Sequence, residues 1–293
     1  MKSTILFILS LSLSGPAMAD ALAPNEMGKI MILEYHQIGP KEGEWRRTPE
    51  NFKQDLKDLY DQGYRLVNLN QVLDGEIDLP AGTTPVVMTF DDGSSGHFRK
   101  KDGKWDPESA VGMILDFNKN HPEMGVGGTF YINALSSKSL TNPDGSSVLA
   151  DLVKDGFEIG NHTWSHPKLK KLSQKEVAME YGKLQDFVQK HVPGYKIRTT
   201  ALPFGIYPKE VSWAAQGEWT SPSGKRVSYS HDGLLEVGAG PAPSPFSESF
   251  DPMHIPRIQA RTSELQKFYS YFQKNPDLRY VSDGNPAVVA KPK

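Results

Sequence analysis

Two adjacent carboxylates, Asp91 and Asp92, end the apolar run Pro85-Val86-Val87-Met88-Thr89-Phe90 and are followed by Gly93. Burying two acids at a strand end is costly unless a cation offsets them, and a metal ion is the usual one. Alone, Asp-Asp-Gly also reads as a solvated turn. Further on, His162 and His166 stand four residues apart. That spacing predicts two imidazoles on one face of a helical turn. With one carboxylate from Asp91-Asp92 they would make a His-His-Asp site that keeps positions open for water and substrate. Nitrogen-oxygen ligation of this kind suits zinc, and iron, cobalt or nickel also match it. The chain has no cysteine, which excludes thiolate ligands, disulfides and cysteine nucleophiles.

The elements around these residues alternate. The run before Asp91, rich in β-branched residues, predicts a buried parallel strand, with Gly93 giving the turn out of it. Ile30-Met31-Ile32-Leu33 predicts another, ending in Glu34-Tyr35-His36. A helix opens at Arg47-Thr48-Pro49-Glu50 and closes at Gly63; a short strand begins at Leu66-Val67, and Asn68 to Leu73 is helical. Ser94 to Pro107 reads as a loop, Ser109 to Asn120 as a helix, Gly128 to Asn133 as a strand and Ser136 to Ser146 as a second long loop. Ser147 to Asp155 is helical, and Phe157 to Gly160 is a strand leading into Asn161-His162. Ser173-Gln174-Lys175-Glu176 is a capping box that starts a helix running to about His191. Strands follow at Thr199 to Leu202, Leu234 to Val237 and Ile255 to Ile258, with a terminal helix at Thr262 to Phe272. Strands alternating with helices and no dividing linker predict one α/β domain built on a parallel barrel or sheet.

The 293 residues carry a formal charge of −2, so no electrostatic reason points to nucleic acid. Lys2, the apolar stretch Ile5 to Leu13 and the small-x-small site Ala17-Met18-Ala19 predict a secretory signal over residues 1–19. Its apolar core is too short to span a bilayer, and no later run reaches that length. Residues 20–293 are then the catalytic domain of an exported protein, periplasmic or secreted.

Thr89-Phe90-Asp91-Asp92-Gly93 and His162-Thr163-Trp164-Ser165-His166 resemble the first two motifs of the polysaccharide deacetylases, the NodB-homology or carbohydrate esterase 4 family. Ala201-Leu202-Pro203-Phe204-Gly205 resembles the third, and the similarity runs from about Ile30 to Ile258. The resemblance implies a distorted (β/α)7-type barrel, a divalent metal, and removal of acetyl groups from N-acetylated, sometimes O-acetylated, sugars. It makes Asp91 the general base, Asp92, His162 and His166 the metal ligands, and the Phe204 backbone N–H a donor to the oxyanion. The third motif usually begins with an arginine that braces the catalytic aspartate; here that position is Ala201. The usual C-terminal histidine motif is also indistinct.

Both departures resemble a circularly permuted branch, in which the histidine-bearing strand precedes the Asp-Asp motif. His36, at the carboxyl end of the first strand, is then the expected acid for the leaving amine, with His254 and His231 as competitors. Arg257 is the candidate for the missing arginine, since a guanidinium beside Asp91 would orient it and keep it ionised. Glu34 or Asp232 would orient the acid histidine. Of Trp45, Trp105, Trp164, Trp213 and Trp219, Trp164 is the expected site wall because it lies between the two histidines. The expected partner is an acetylated glycan, with peptidoglycan first and chitin-type oligomers or an exopolysaccharide next. An O-acetyl xylan esterase and a non-catalytic glycan-binding protein are the alternatives.

Overall fold

Seven short parallel strands close into a ring, and period-two alternation along each sorts side chains between its inside and its outside. The computed structural model describes residues 22–133, 140 and 147–292. The expected signal segment, residues 1–19, and nearly all of the expected Ser136 to Ser146 loop lie outside the described residues. The strands are β1 (Met31–Tyr35), β2 (Tyr64–Leu66), β3 (Thr84–Phe90), β4 (Thr129–Ile132), β5 (Glu158–Asn161), β6 (Thr199–Ala201), β7 (Gly233–Ala239) and β8 (Ile255–Gln259). The ring runs β1-β3-β4-β5-β6-β7-β8 and back to β1, and β2 flanks β3 outside it. β3 shares one edge between two partners: Thr84 to Val86 pair with β2, while Thr89 and Phe90 pair with β4. That division distorts the (β/α)7 barrel, a single domain.

On β1, Met31, Leu33 and Tyr35 join the apolar layer between strands and helices, whereas Ile30 and Ile32 join a second cluster with Val87, Tyr131, Ala201, Leu235 and Ile255. The second cluster fills the barrel. One alternation further along the same faces come Glu34 on β1 and His36 just past its end, Thr89 and Asp91 after Val87, and Arg257 after Ile255. The interior is therefore apolar below and polar at the carboxyl ends of the strands, where parallel barrels build their sites.

Helices α1 (Pro49–Asp61), α2 (Leu69–Asp74), α3 (Ala110–Asn120), α4 (Val148–Lys154), α5 (Gln174–His191) and α6 (Thr262–Lys274) connect the strands. Thr48 caps α1 by accepting from the Asn51 N–H, and Ser173 and Glu176 form the reciprocal capping box of α5. Phe52 and Leu56 of α1, Val111 and Ile114 of α3, and Leu265 and Phe268 of α6 pack on the outer face of the barrel. The Ser94 to Pro107 stretch differs from the loop expected of it: it carries a helical turn at Ser95–Phe98 and a small ribbon, Lys100–Lys101 with Lys104–Trp105. Gly96 lets this turn pack closely on the backbone at Ile38, because a Cβ there would sit 2.0 Å from the Ile38 carbonyl oxygen. The hairpin Gln216–Thr220/Arg226–Ser230, which packs against α5, has an alternating pattern the sequence reading left unassigned.

Candidate active site and metal centre

Asp91 points into the barrel and is 1% exposed. Its two carboxylate oxygens accept from Nη1 and Nη2 of Arg257, each at 2.8 Å. The fork is held from behind: Arg257 Nε donates to the Glu236 carbonyl at 2.7 Å and Nη1 also reaches Thr89 Oγ1 at 3.0 Å. Burial alone would raise the Asp91 carboxyl; the Arg257 guanidinium, followed by His162 and His36, outweighs it and holds the group well below the usual carboxylate range. Arg257, wholly buried on β8, thus faces the aspartate from inside, as Ala201 cannot.

Asp92 turns the other way, with the chain at φ 69° and Gly93 following at φ 58°. Its Oδ1 lies 3.5 Å from Nε2 of His162 and 3.6 Å from Nε2 of His166. Asn133, at the end of β4, donates to the same oxygen at 3.3 Å. The two histidines are not on a helical turn. Thr163 (φ 63°) and His166 (φ 55°) are left-handed, and side chains pin the loop instead. Asn161 Oδ1 accepts from the Thr163 N–H, and Glu180 of α5 accepts from both the N–H and the hydroxyl of Ser165. Asp92, Thr163, His166 and Phe204 are four of the six non-glycine residues with positive φ among the described residues. Such strain, on the order of 1–3 kcal/mol each, persists where surrounding structure enforces it and clusters at functional sites.

These donors suit a divalent cation. His162 Nδ1 donates to the Ala201 carbonyl at 2.8 Å, which fixes the tautomer and leaves the Nε2 lone pair facing Asp92. Tetrahedral zinc with bonds of about 2.0–2.1 Å places its ligand atoms about 3.3 Å apart, close to the separations here. Burial would lower His162, yet Asp91 and Asp92 hold it above its ordinary value, so the cluster attracts positive charge. Burial, reinforced by His162, lowers His166 and favours the neutral, ligating form.

Asp91, Asp92, His36, His162, His166 and Phe204 line one pocket of about 480 Å³, together with Gln37, Trp45, Leu202 and Val237. Phe204 is 55% exposed, and its ring meets that of His166 at 4.5 Å in the turn Pro203–Gly205. Trp45, 42% exposed, meets the His36 ring at 4.6 Å and replaces Trp164 as the aromatic wall. Trp164 turns out of the pocket, edge-on to Phe187 and under Lys183 of α5, because the left-handed Thr163 rotates the chain between the histidines.

Neither competing histidine lines the pocket. His231 is buried between Tyr181 and Tyr229, bonded to the Ala214 carbonyl, and His254 is exposed against Tyr207 and Glu236. Asp232 pairs with Arg198 at the surface. Glu34 alone of the two candidate orienting acids faces His36, at 3.8 Å. Thr89, Asn133 and Glu180 went unread in the sequence; Asn133 had a signal, its place at a strand end.

A parallel barrel that brings an arginine-held carboxylate and a two-histidine, one-carboxylate cluster to its strand ends has the arrangement that metal-centred hydrolysis would use. Residues 79–217 match the family model described as polysaccharide deacetylase. Among curated proteins it is similar to a chitin deacetylase of Arthroderma benhamiae, 31% identical over 43% of this chain and 29% of that protein. It is likewise similar to a peptidoglycan N-acetylmuramic acid deacetylase of Bacillus subtilis, 31% identical over 41% of this chain and 21% of that protein. The chain thus spans under a third of the length of either relative. The fold resembles that of the Streptococcus pyogenes deacetylase PplD in complex with acetate, at a TM-score of 0.60 and 19% identity over 82% of this chain and 97% of that one.

Proposed function

We propose that this protein is a metal-dependent N-deacetylase of polysaccharides containing N-acetylated sugars. The observation that carries the reading is Asp91, ionised in the grip of Arg257, beside the Asp92-His162-His166 cluster in one pocket with His36. A divalent cation, zinc first with cobalt or nickel next, would lower the pKa of a bound water and polarise the acetyl carbonyl. Asp92, His162 and His166 would hold it.

Asp91 accepts the proton of the attacking water, and Arg257 keeps it aligned and charged for that task. The negative oxygen that develops on the acetyl carbon meets the Phe204 N–H at the pocket wall. His36 gives a proton to the departing nitrogen. The non-catalytic alternative drew on the alanine at position 201, and Arg257 removes that motive.

Peptidoglycan is the leading substrate, with chitin-type oligomers and exopolysaccharide after it, an order that follows from the expected export; similarity to chitin and peptidoglycan deacetylases supports the first two as candidates. The signal-like segment at residues 1–19 supports export to the periplasm or beyond, and the early position of His36 supports the permuted arrangement. Among the described residues no helix is long and apolar enough to cross a membrane. The test is acetate release from acetylated chitooligosaccharide and from peptidoglycan, with zinc supplied and then chelated. Release that requires metal and is lost in Asp91→Asn is expected; metal-independent release, or none from either polymer, would sink the reading.

A further inference from the structure

The hairpin Gln216–Thr220/Arg226–Ser230 takes no part in the chemistry above, and its ladder leaves one edge unused. The two strands pair in unbroken register, with Gly217 opposite Tyr229 and Trp219 opposite Val227. One end of the ladder is closed by the Ser221 N–H on the Lys225 carbonyl, 2.8 Å, and the other by the His231 N–H on the Ala215 carbonyl, 2.6 Å. Along an antiparallel ladder, hydrogen-bonded pairs alternate with non-bonded ones. Val227 and Tyr229 therefore bond to the neighbouring strand, and Arg226, Ser228 and Ser230 point their N–H and C=O groups away from it. Among the described residues no other element takes up those groups.

The edge is held firmly in place. Tyr229 packs with Val177 and Tyr181 of α5, and its hydroxyl donates to the Trp213 carbonyl at 2.7 Å. A Cβ at Gly182 of α5 would come within 2.5 Å of the Trp219 Cβ, so hairpin and helix are in direct contact. Beside the free edge lies a cleft of about 550 Å³, whose other walls are Gln185 and Gln189 of α5 and the segment Lys196 to Arg198. One end is shut by the Asp232 N–H on the Arg198 carbonyl, 2.6 Å, where the chain enters β7 and β6. That is the end of the barrel opposite the strand-end site, so an occupant leaves the site open.

A row of unpaired N–H and C=O groups is a template for a further strand, and edges are commonly blunted by proline or a bulge. This one has neither. The charges of the cleft select the occupant. Arg198 is taken up by Asp74 and Asp232, but among the described residues Lys196 makes no ion pair and Arg226 meets Glu218 only at 3.8 Å. Two cations left over favour carboxylates. A second copy of the chain would bring its own hairpin and α5 against the wall at Lys196 to Arg198, whereas a single extended strand brings nothing beyond itself. We propose that the Arg226–Ser230 edge is a docking site for an extended acidic peptide of a partner protein, which adds a third strand to the hairpin.

The experiment follows backbone amide exchange in the whole protein with two synthetic heptapeptides, one alternating valine with glutamate and the other valine with lysine. In the free protein the amides of Arg226, Ser228 and Ser230 should exchange fast and those of Val227 and Tyr229 slowly. The glutamate peptide at millimolar concentration should slow the first three by about tenfold or more, and the lysine peptide should not. Ser228→Pro removes an outward N–H and no ladder bond, so it should abolish this protection with an unchanged melting curve; Ser228→Ala should keep it. No added protection, equal protection by both peptides, or full protection in Ser228→Pro would overturn the proposal. So would protection present without peptide that grows with protein concentration, which would assign the edge to a second copy. None of these readouts involves acetate release, so the proposal stands or falls apart from the deacetylase reading.

Discussion

Asp91 and Asp92 are neighbours in sequence with opposite surroundings. Asp91 is buried and its oxygens are taken up by the Arg257 fork; the Asp92 side chain is 40% exposed and its Oδ1 faces two imidazoles. The difference begins in the backbone. Strand alternation carries Asp91 into the barrel after Thr89 and Val87, while the left-handed Asp92 breaks the alternation and swings its carboxylate to the histidine loop. Identical side chains thus meet different surroundings: one held ionised by a guanidinium, the other facing two imidazoles, which is the contrast the proposed roles of base and metal ligand rest on.

The largest effects should separate the two. Asp92→Ala should lose bound zinc and activity together, whereas Asp91→Asn should keep near-stoichiometric zinc and lose about 10³-fold in turnover. Metal analysis beside acetate release checks both, and metal loss in Asp91→Asn would break the contrast. Arg257→Met comes next. It strands a buried carboxylate and should cost about 3–5 kcal/mol in urea unfolding, far more than Lys57→Met, whose partner Asp61 is at the surface.

A third test sharpens the role of the close carboxylates by using a histidine where burial outweighs the nearby Asp232. Burial pushes His231 down to about 4 despite its bond to the Ala214 carbonyl. Its folded pKa lies below the unfolded value of about 6.5, so the unfolded chain binds the proton more readily. Stability is complete above about pH 6.5 and falls by about 3 kcal/mol toward pH 4. His231→Phe should flatten that slope in unfolding curves across the window, and an unchanged slope would count against it. The smallest effects concern the aromatics. Trp45→Ala should raise KM for glycan oligomers several-fold, while Trp164→Ala should leave KM unchanged and cost about 1–2 kcal/mol of stability through lost packing.

Much of the site was legible because its parts are local. Asp91, Asp92 and His162 each stand just beyond a strand, His166 follows four residues after His162, and Ser173 to Glu176 announces its helix by side-chain capping. Trp164 was misread because its direction depends on φ at Thr163, which spacing does not report. The helical turn inferred for the histidines failed for the same reason, since Asn161 and Glu180 hold that loop from outside it.

The sequence by itself determined the order of strands and helices and the kinds of side chain at the strand ends, since period-two burial and end-capping are local physics. Only the tertiary structure decided which groups meet. Arg257 reaches Asp91 across 166 residues, and Glu34 reaches Gly238 across 204. Closure of the ring brings β1, β3, β7 and β8 together, and no local pattern in one strand carries information about the charge it will face in another.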